Sequence, residues 1–281
     1  MKEAMYYEKK DGYIHCYLCP HHCMLKDGQI GRCGVRKVIE GKLYSINYGK
    51  ISAINIDPIE KKPIVGWMPG SEILSIGSFG CNLHCQFCQN HDISMGKPYT
   101  IEMTPKEIIK KALDHGLPSI AYTYNEPTIF YEMMFDTAKL ARKNALKSVI
   151  VTNGFIEEDP LLNILDYLDA MNIDLKTYSD HIYKRLGGST VNRILRTIEI
   201  ASAKCHVEIS LLIVPGISDD IHKMEELFKR LAKINQDLIL HISRYFPMYK
   251  YNELPTDINV MKRIQDNALK YFSRVNLGNV R

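Results

Sequence analysis

From residue 72 onward the sequence alternates between short apolar runs and amphipathic runs of helical period, and this alternation restricts the fold more than any other feature. Runs of strand length lie at 73–77, 119–123, 148–152, 170–174, 207–214 and 238–242. Helical patterns lie at 105–114, 128–144, 160–167, 191–203, 220–234 and 258–272. Strand-then-helix units in series are typical of a parallel sheet with right-handed crossovers. Six units, where a closed barrel has eight, predict an α/β fold with a partial (β/α)6 TIM-like barrel.

The first 70 residues follow a different pattern, in which cysteines stand among turn-forming prolines and glycines without a helical period. We therefore predict an N-terminal cysteine-rich module over residues 1–70 and the partial barrel over residues 71–281. Alternating stretches near 42–48 and 51–56 predict either a small hairpin that turns at Gly49-Lys50 or edge strands.

Composition places the chain among ordinary soluble globular proteins, with 46% hydrophobic and 24% charged residues, and excludes disordered, collagenous and coiled-coil chains. The net charge of +4 is spread along the chain without a dense basic tract, so we expect no nucleic-acid partner. Apolar runs stay well below the roughly 18 residues of a membrane span, and the first residues lack the apolar core of a secretory signal. We therefore expect a cytoplasmic protein with no membrane partner.

In the reducing cytoplasm the eight cysteines need a role other than disulfide bonding, and seven of them fall in two tight clusters, which indicates metal. The second cluster, Cys81, Cys85 and Cys88, has the spacing C-x3-C-x2-C in the loop after the first predicted strand. Zinc could complete a four-ligand site here with His84 or His91. A cubane iron–sulfur cluster would instead use the three cysteines and leave one iron open to another ligand.

The first cluster, Cys16, Cys19, Cys23 and Cys33, supplies four thiolates. Four thiolates suit a closed tetrahedral zinc site and a fully ligated auxiliary iron–sulfur cluster equally well. Zinc would stabilise a module too small to fold on its own core, whereas a cluster could relay electrons. We expect a second metal site at these cysteines, and the sequence favours neither metal.

Polar residues follow the predicted strands at the positions where each strand ends. They are Tyr124, Asn125 and Glu126 after the second strand, Asn153 after the third, Asp174 and Lys176 at the fourth, and Arg244 after the sixth. Because the functional loops of a parallel sheet follow the carboxyl ends of its strands, these residues are expected to meet on one rim. Arg244 is expected either to hold a carboxylate of a substrate or cofactor or to form a surface ion pair.

The spacing of the second cysteine cluster, the aromatic Phe87 before its last cysteine and its position after the first strand of a βα series resemble the radical S-adenosylmethionine (SAM) superfamily. The resemblance implies a [4Fe-4S] cluster on Cys81, Cys85 and Cys88, with the open iron chelated by the amino and carboxylate groups of SAM. It also implies reductive cleavage of SAM to methionine and a 5′-deoxyadenosyl radical, which abstracts hydrogen from a substrate.

The segment Tyr124-Asn125-Glu126-Pro127 resembles the Gly-Gly-Glu-Pro motif of the same superfamily, which receives the SAM amino group. The resemblance implies that Tyr124 and Asn125 contribute backbone contacts and that Glu126 faces the ammonium group. A carboxylate opposite an ammonium group forms a charge-assisted hydrogen bond, which suits this role.

Two later segments, Val151 to Phe155 and Asp174-Leu175-Lys176, resemble the glycyl-radical-enzyme activating enzymes, such as the pyruvate formate-lyase activase. The resemblance implies that Thr152 and Asn153 lie near SAM. It places Asp174 near the sulfonium or a monovalent cation and Lys176 near the SAM carboxylate. Lys176 and Asp174, together with Arg244, are therefore expected to be the residues closest to the chemistry.

Over nearly its whole length the chain resembles the radical SAM enzymes of the AmmeMemoRadiSam system. The resemblance is carried by the pattern Cys-x-Leu-Cys-Pro-His-x-Cys at 16–23, by Gly31-x-Cys33-Gly34-Val35-Arg36 and by the segment Asp57 to Pro63. It implies an electron donor such as ferredoxin or flavodoxin, with Memo-like or AMMECR-like proteins as partners.

The substrate is expected to be a protein loop, as in glycyl-radical activation, with a small molecule as the alternative. A hypothesis of a different class is a non-enzymatic binding module, in which zinc fills both cysteine clusters and the polar rim recognises a partner. The identity of the bound metal separates the enzyme hypothesis from the binding-module hypothesis.

Overall fold

A computed structural model describes residues 1–280. Within them the strands are β1 (Lys2–Glu3), β2 (Tyr7–Lys10), β3 (Tyr13–Cys16), β4 (Cys23–Leu25), β5 (Arg36–Ile39), β6 (Lys42–Ser45), β7 (Lys50–Ile51), β8 (Ala53–Pro58), β9 (Glu72–Gly77), β10 (Ile101–Glu102), β11 (Ser119–Tyr122), β12 (Lys147–Thr152), β13 (Ala170–Asp174), β14 (His206–Ile213), β15 (Ile239–Arg244) and β16 (Val275–Gly278). The α-helices are α1 (His91–Ser94), α2 (Pro105–Asp114), α3 (Tyr131–Lys143), α4 (Glu158–Leu165), α5 (Asp180–Arg185), α6 (Val191–Ser202), α7 (Ile221–Ile234) and α8 (Ile258–Ala268). Short 3-10 helices occupy Ile59–Lys61 and Pro127–Phe130. None of the helices within these residues has the length and apolar character needed to cross a membrane.

Eight strands form the central sheet, in the order β16-β15-β14-β13-β12-β11-β9-β8. Neighbouring strands from β9 to β16 run parallel, and β8 joins the edge antiparallel to β9. In the described part of the chain the two edge strands do not pair with each other, so the barrel is open. The predicted α/β fold with a partial barrel is confirmed, and β16 adds a parallel strand that the sequence analysis missed.

The middle strands of the sheet are buried on both faces, which explains why they stand out as continuous apolar runs. All four residues of β11 and five of the six residues of β9 are buried. The helix α2 also begins where its sequence pattern predicted. The Thr104 side chain accepts a hydrogen bond from Glu107 N, and the Glu107 side chain accepts one from Thr104 N, so a capping box starts α2.

The segment that follows β8 closes the amino-terminal end of the sheet's inner face. Ile59, Ile64 and Trp67 form one apolar cluster with residues from four strands, namely Ile73, Ala121, Val149 and Ala170. Because side chains alternate between the two faces of a strand, Val151 and Asp174 stand on this same inner face, nearer the carboxyl ends. The inner face therefore has an apolar floor below its polar rim.

The hairpin predicted from the stretches 42–48 and 51–56 is wrong. β6 pairs with β5 and with β1, whereas β8 pairs with β9. Glu40 and Gly41 have φ of 50° and 69° and form the two-residue turn between β5 and β6, a conformation that matches the twist of antiparallel strands. The alternative prediction of an edge strand describes β8, which extends the central sheet from within the first 70 residues. The division of the chain at residue 70 stays a prediction.

Candidate active site

A cavity of about 750 Å³ opens at the carboxyl ends of the parallel strands. Its walls include the second cysteine cluster, Thr152 and six of the seven residues predicted to meet on one rim, namely Tyr124, Asn125, Glu126, Asn153, Asp174 and Lys176. These side chains come from loops after β9 and β11 and from the ends of β12 and β13. The structure therefore brings the second cysteine cluster and the predicted SAM-contacting residues into one cavity.

The loop with the three cysteines is held by side chains from the end of β12. Asn82 Nδ2 donates to Phe155 O at 2.8 Å, and Asn153 Nδ2 donates to Asn82 Oδ1 at 2.9 Å. Asn153 Nδ2 also lies 3.8 Å from Cys81 Sγ. Asn82 is fully buried, and the sequence analysis did not assign it a role.

The thiols of this loop are poor acids in the absence of a cation. Burial raises the pKa of Cys85 to about 12, with the charge of Lys176 opposing the shift. Burial, together with the nearby Glu126, raises the pKa of Cys81 well above its usual value. Thiolates at these positions therefore need a positively charged centre beside them. Three free cysteines on the wall of one cavity form a donor set that fits an iron–sulfur cluster.

Glu126 is a buried carboxylate held by three donors. Thr152 Oγ1 donates to Oε1 at 2.6 Å, Thr128 N donates to Oε1 at 2.9 Å, and Asn153 N donates to Oε2 at 2.8 Å. Burial raises the pKa of Glu126, and these hydrogen bonds oppose the shift. The carboxylate thus ties the loop after β11 to the end of β12 and is oriented before any ligand binds.

Asn125 and Tyr124 clamp the beginning of the cysteine loop. Asn125 Oδ1 accepts from Ser78 N at 2.8 Å, and its Nδ2 donates to Gly80 O at 3.1 Å. Tyr124 has the left-handed φ of 72°, and its hydroxyl donates to Asp57 Oδ2 at 2.8 Å. The two residues that replace the glycines of the Gly-Gly-Glu-Pro motif therefore make side-chain contacts that glycine cannot make.

Asp174 and Lys176 form an ion pair on the cavity wall. Lys176 Nζ lies 2.8 Å from Asp174 Oδ2, and Lys176 N donates to the Tyr183 hydroxyl at 3.0 Å. Burial lowers the pKa of Lys176, but the charges of Asp174 and Cys85 outweigh burial and raise it. A fixed positive charge therefore stands near the cysteine loop.

Sequence reasoning missed a buried polar cluster beside the cavity. Glu208 is fully buried and accepts hydrogen bonds from Val65 N at 2.9 Å and Gly66 N at 2.7 Å. Its oxygens also lie 2.8 Å from His206 Nε2 and 2.5 Å from His241 Nε2, and His241 lines the cavity. Burial raises the pKa of Glu208, but these hydrogen bonds outweigh burial and lower the pKa to about 2. A glutamate inside the apolar run of β14 was the signal available in the sequence.

Arg244 is not among the described residues that line the cavity, although its neighbour Ser243 is. Arg244 Nε donates to Thr256 O at 2.9 Å, and its guanidinium lies 5.0 Å from the centre of the Phe246 ring. The structure therefore does not bring Arg244 together with the other predicted site residues. The role assigned to it stays a prediction.

The four N-terminal cysteines surround a second, smaller cavity, which Arg36 also lines. Cys16 and Cys23 face each other across β3 and β4. Burial raises the pKa of Cys33 to about 11, while Arg36 acts in the opposite direction. All four side chains are free thiols, so the donor set suits zinc or an iron–sulfur cluster. As arranged without metal, no three His, Cys, Asp or Glu side chains within residues 1–280 form a group that could hold one ion.

The two cysteine regions touch through Gly80. Gly80 has φ of 89°, and a Cβ at this position would lie 2.6 Å from Cys33 O and 2.7 Å from Val35 Cγ1. His21 Nε2 also lies 2.7 Å from Asn82 O. The loop that carries Cys81 therefore packs directly on the backbone of the N-terminal cysteine site.

Known proteins match both the sequence and the fold. The family described as Radical SAM superfamily matches residues 75–231. An uncharacterized protein of Methanocaldococcus jannaschii is 40% identical, over 100% of this chain and 86% of the relative. The pyruvate formate-lyase 1-activating enzyme of Escherichia coli K12 is 27% identical, over 61% of this chain and 74% of the relative.

Among solved structures, Streptococcus suis SuiB bound to S-adenosylmethionine superposes with a TM-score of 0.56 at 16% identity. The match covers 70% of this chain and 47% of SuiB, so the chain spans about half the length of that protein. At this identity the likeness establishes the shared fold.

Proposed function

The chain belongs to the radical SAM superfamily, and we propose that it uses a [4Fe-4S] cluster on Cys81, Cys85 and Cys88 to cleave SAM bound in the adjacent cavity. One observation carries this proposal: three free cysteines share a cavity wall with the Asp174–Lys176 ion pair. When bound, the cluster and SAM supply a one-electron reductive cleavage that yields methionine and a 5′-deoxyadenosyl radical, which abstracts hydrogen from the substrate.

The residues of this chain would bind and orient the amino-acid end of SAM. Lys176 carries a positive charge suited to the carboxylate, and Glu126 carries a carboxylate suited to the ammonium group. Asp174 orients Lys176 through their 2.8 Å contact. Thr152 and Asn153 would lie near SAM and fix Glu126 at the same time.

The substrate that we propose is a protein loop, activated in the manner of a glycyl-radical enzyme. The similarity to a pyruvate formate-lyase 1-activating enzyme supports this class, and the open barrel offers an entrance for a loop. A small molecule is the second candidate, because the cavity has a polar, deeply placed group in His241 with Glu208 behind it. An electron donor such as ferredoxin or flavodoxin would serve either substrate, with Memo-like or AMMECR-like proteins as further partners.

We also propose that Cys16, Cys19, Cys23 and Cys33 hold a second metal, either zinc or an auxiliary iron–sulfur cluster. The donor set of four free thiols around one small cavity supports this site. A zinc site would stabilise the surrounding loops, and a cluster could carry electrons toward the cavity.

The test is anaerobic measurement of iron, sulfide and zinc, with SAM cleavage assayed under dithionite. The wild type is compared with a variant in which Cys81, Cys85 and Cys88 are all changed to Ala, and with Cys205→Ala as a matched control. We expect the triple variant alone to lose one cluster's iron and the formation of 5′-deoxyadenosine. Zinc at both sites of the wild type, without SAM turnover, would contradict the proposed SAM chemistry. It would instead support a zinc-stabilised binding module.

A further inference from the structure

Arg36, the first residue of β5, is a charged side chain with only 2% of its surface exposed. Its Nη2 binds Glu132 Oε1 of α3 at 2.5 Å, and its Nη1 donates to Met5 O at 2.8 Å. Glu132 Oε1 also accepts from Met5 N at 2.8 Å, which fixes both partners. Burying an ion pair this deeply carries a large desolvation cost, so a second partner for the charge is expected.

Within residues 1–280, one nitrogen of Arg36 has no hydrogen-bond partner. Arg36 Nε is buried and makes no hydrogen bond within the described residues, and Glu132 Oε2 is likewise buried without one there. The same side chain lines the small cavity surrounded by Cys16, Cys19, Cys23 and Cys33. Because buried N–H groups are almost always paired, the free Nε–H indicates that an acceptor belongs in this cavity.

The backbone of Arg36 is tied to the same cysteines. Gly31 N donates to Arg36 O at 2.7 Å. A Cβ on Gly31 would lie 3.7 Å from Cys23 Sγ and 3.8 Å from Cys33 Sγ, so both sulfurs approach one turn. The guanidinium and the sulfurs are therefore held by one short stretch of chain.

The charge of a four-thiolate centre supplies the missing acceptor. Four thiolates around a divalent metal, or around a cubane, leave net negative charge in a buried volume, which is costly without a cation beside it. We propose that Arg36 is the counter-charge and N–H donor of a metal centre on Cys16, Cys19, Cys23 and Cys33. Nε serves the thiolates while Nη2 and Nη1 stay bound to Glu132 and to the Met5 carbonyl. Arg36 is thus a positioning residue, and its role does not depend on SAM chemistry.

The experiment isolates this centre in the 281-residue chain with Cys81, Cys85 and Cys88 changed to Ala, because the remaining metal then belongs to the N-terminal cysteines. This parent is expected to hold zinc, or iron with sulfide, and to lose it in the Cys19→Ala variant. Release is timed with EDTA for zinc or bathophenanthroline for iron. Arg36→Met is expected to release metal about 10–100-fold faster, as for other residues that support metal ligands. Arg36→Lys keeps the charge but lacks Nε, and is expected to release metal faster than the parent.

Lys62→Met is the matched control, because Lys62 is a buried cation, 3% exposed, that binds Asp57 Oδ2 at 2.7 Å outside the small cavity. Equal release from Arg36→Met and the parent overturns the proposal, and so does equal acceleration in Lys62→Met. A parent that holds neither zinc nor iron overturns it as well. If Arg36→Met does not fold, the Arg36→Lys variant provides the test. Metal release from Arg36→Lys at the parent rate would show that Nε has no role.

This outcome is separable from that of the proposed function. Formation of 5′-deoxyadenosine by the variant without Cys81, Cys85 and Cys88 would remove the proposed SAM chemistry and leave the second centre untouched. Normal SAM cleavage by the wild type, together with unaltered metal release from Arg36→Met, would remove the inference about Arg36 alone.

Discussion

Thr152 and Glu126 are joined by a hydrogen bond of 2.6 Å, from the Thr152 hydroxyl to Glu126 Oε1. This bond connects the end of β12 to the loop after β11, and the carboxylate it orients is 4% exposed. A ligand ammonium group entering the cavity would meet a carboxylate that is already turned and fixed. The cost of ordering this side chain is therefore met on folding, which strengthens binding.

Thr152→Val keeps the side-chain volume and removes this donor from a buried carboxylate. We expect the free energy of unfolding to fall by about 1–2 kcal/mol and SAM to bind roughly 3–10-fold more weakly. Denaturant unfolding and anaerobic equilibrium dialysis with labelled SAM measure the two effects. Thr137→Val is the control, since it removes a hydroxyl that bonds Met133 O inside α3, and it should leave SAM affinity unchanged. Wild-type affinity in Thr152→Val would show that the orientation of Glu126 has no part in binding.

Gly80→Ala tests the contact between the two cysteine regions. The new Cβ would lie 2.6 Å from Cys33 O on a backbone with φ of 89°. We expect the left-handed conformation and the clash together to lower the free energy of unfolding by about 2–4 kcal/mol. We also expect a lower iron content after anaerobic reconstitution. Gly28→Ala is the matched control, because Gly28 has φ of 78° and open space around its Cβ. Equal effects in the two variants would mean that the contact with Cys33 is unimportant.

The sequence was sufficient to predict most of the fold and of the large cavity. The strands are buried, so their apolar runs mark them, and Ala170–Asp174 was predicted with the bounds that β13 has. Because parallel strands end on one rim, residues that follow different strands, such as Glu126 and Lys176, could be assigned to one site before their distances were known. The spacing of Cys81, Cys85 and Cys88 located the loop proposed to hold a cluster, because these cysteines are close together in the sequence.

Partners distant in the sequence could not be predicted. Arg36 meets Glu132 and Glu208 meets His241 only because the tertiary fold brings their elements together. The position of Arg244 outside the cavity lining has a simpler reason. Ser243 lines the cavity, and alternation along β15 turns the next side chain away from it, toward Thr256. The predicted end of this strand at residue 242 hid that alternation.

Glu208→Gln should reveal a pH-dependent contribution to stability. The pKa of Glu208 is lowered from 4.5 to about 2, so its contribution is full above about pH 4.5 and is lost as the pH falls toward 2. At pH 7 we expect the variant to be less stable by up to about 3 kcal/mol, the equivalent of that pKa difference. Denaturant unfolding at pH 7 and pH 3 measures the difference, which should shrink at pH 3. Glu226→Gln, on the exposed face of α7, is the control, and a pH-independent difference for Glu208→Gln would contradict the assignment.

Lys176→Met should separate SAM binding from cluster assembly. Lys176 supplies a positive charge to the cavity wall, and only Asp174, at 2.8 Å, pairs with its ammonium group in the described structure. Hydrogen bonds to charged groups contribute about 1.5–3 kcal/mol, so SAM affinity should fall about tenfold or more. Iron content should stay at the wild-type value, because none of the three cysteines is altered. Lys184→Met, at an exposed position of α5, provides the control for removal of a positive charge. If Lys176→Met lost iron in proportion to SAM affinity, Lys176 would instead be stabilising the cysteine loop, and the SAM carboxylate would need another partner.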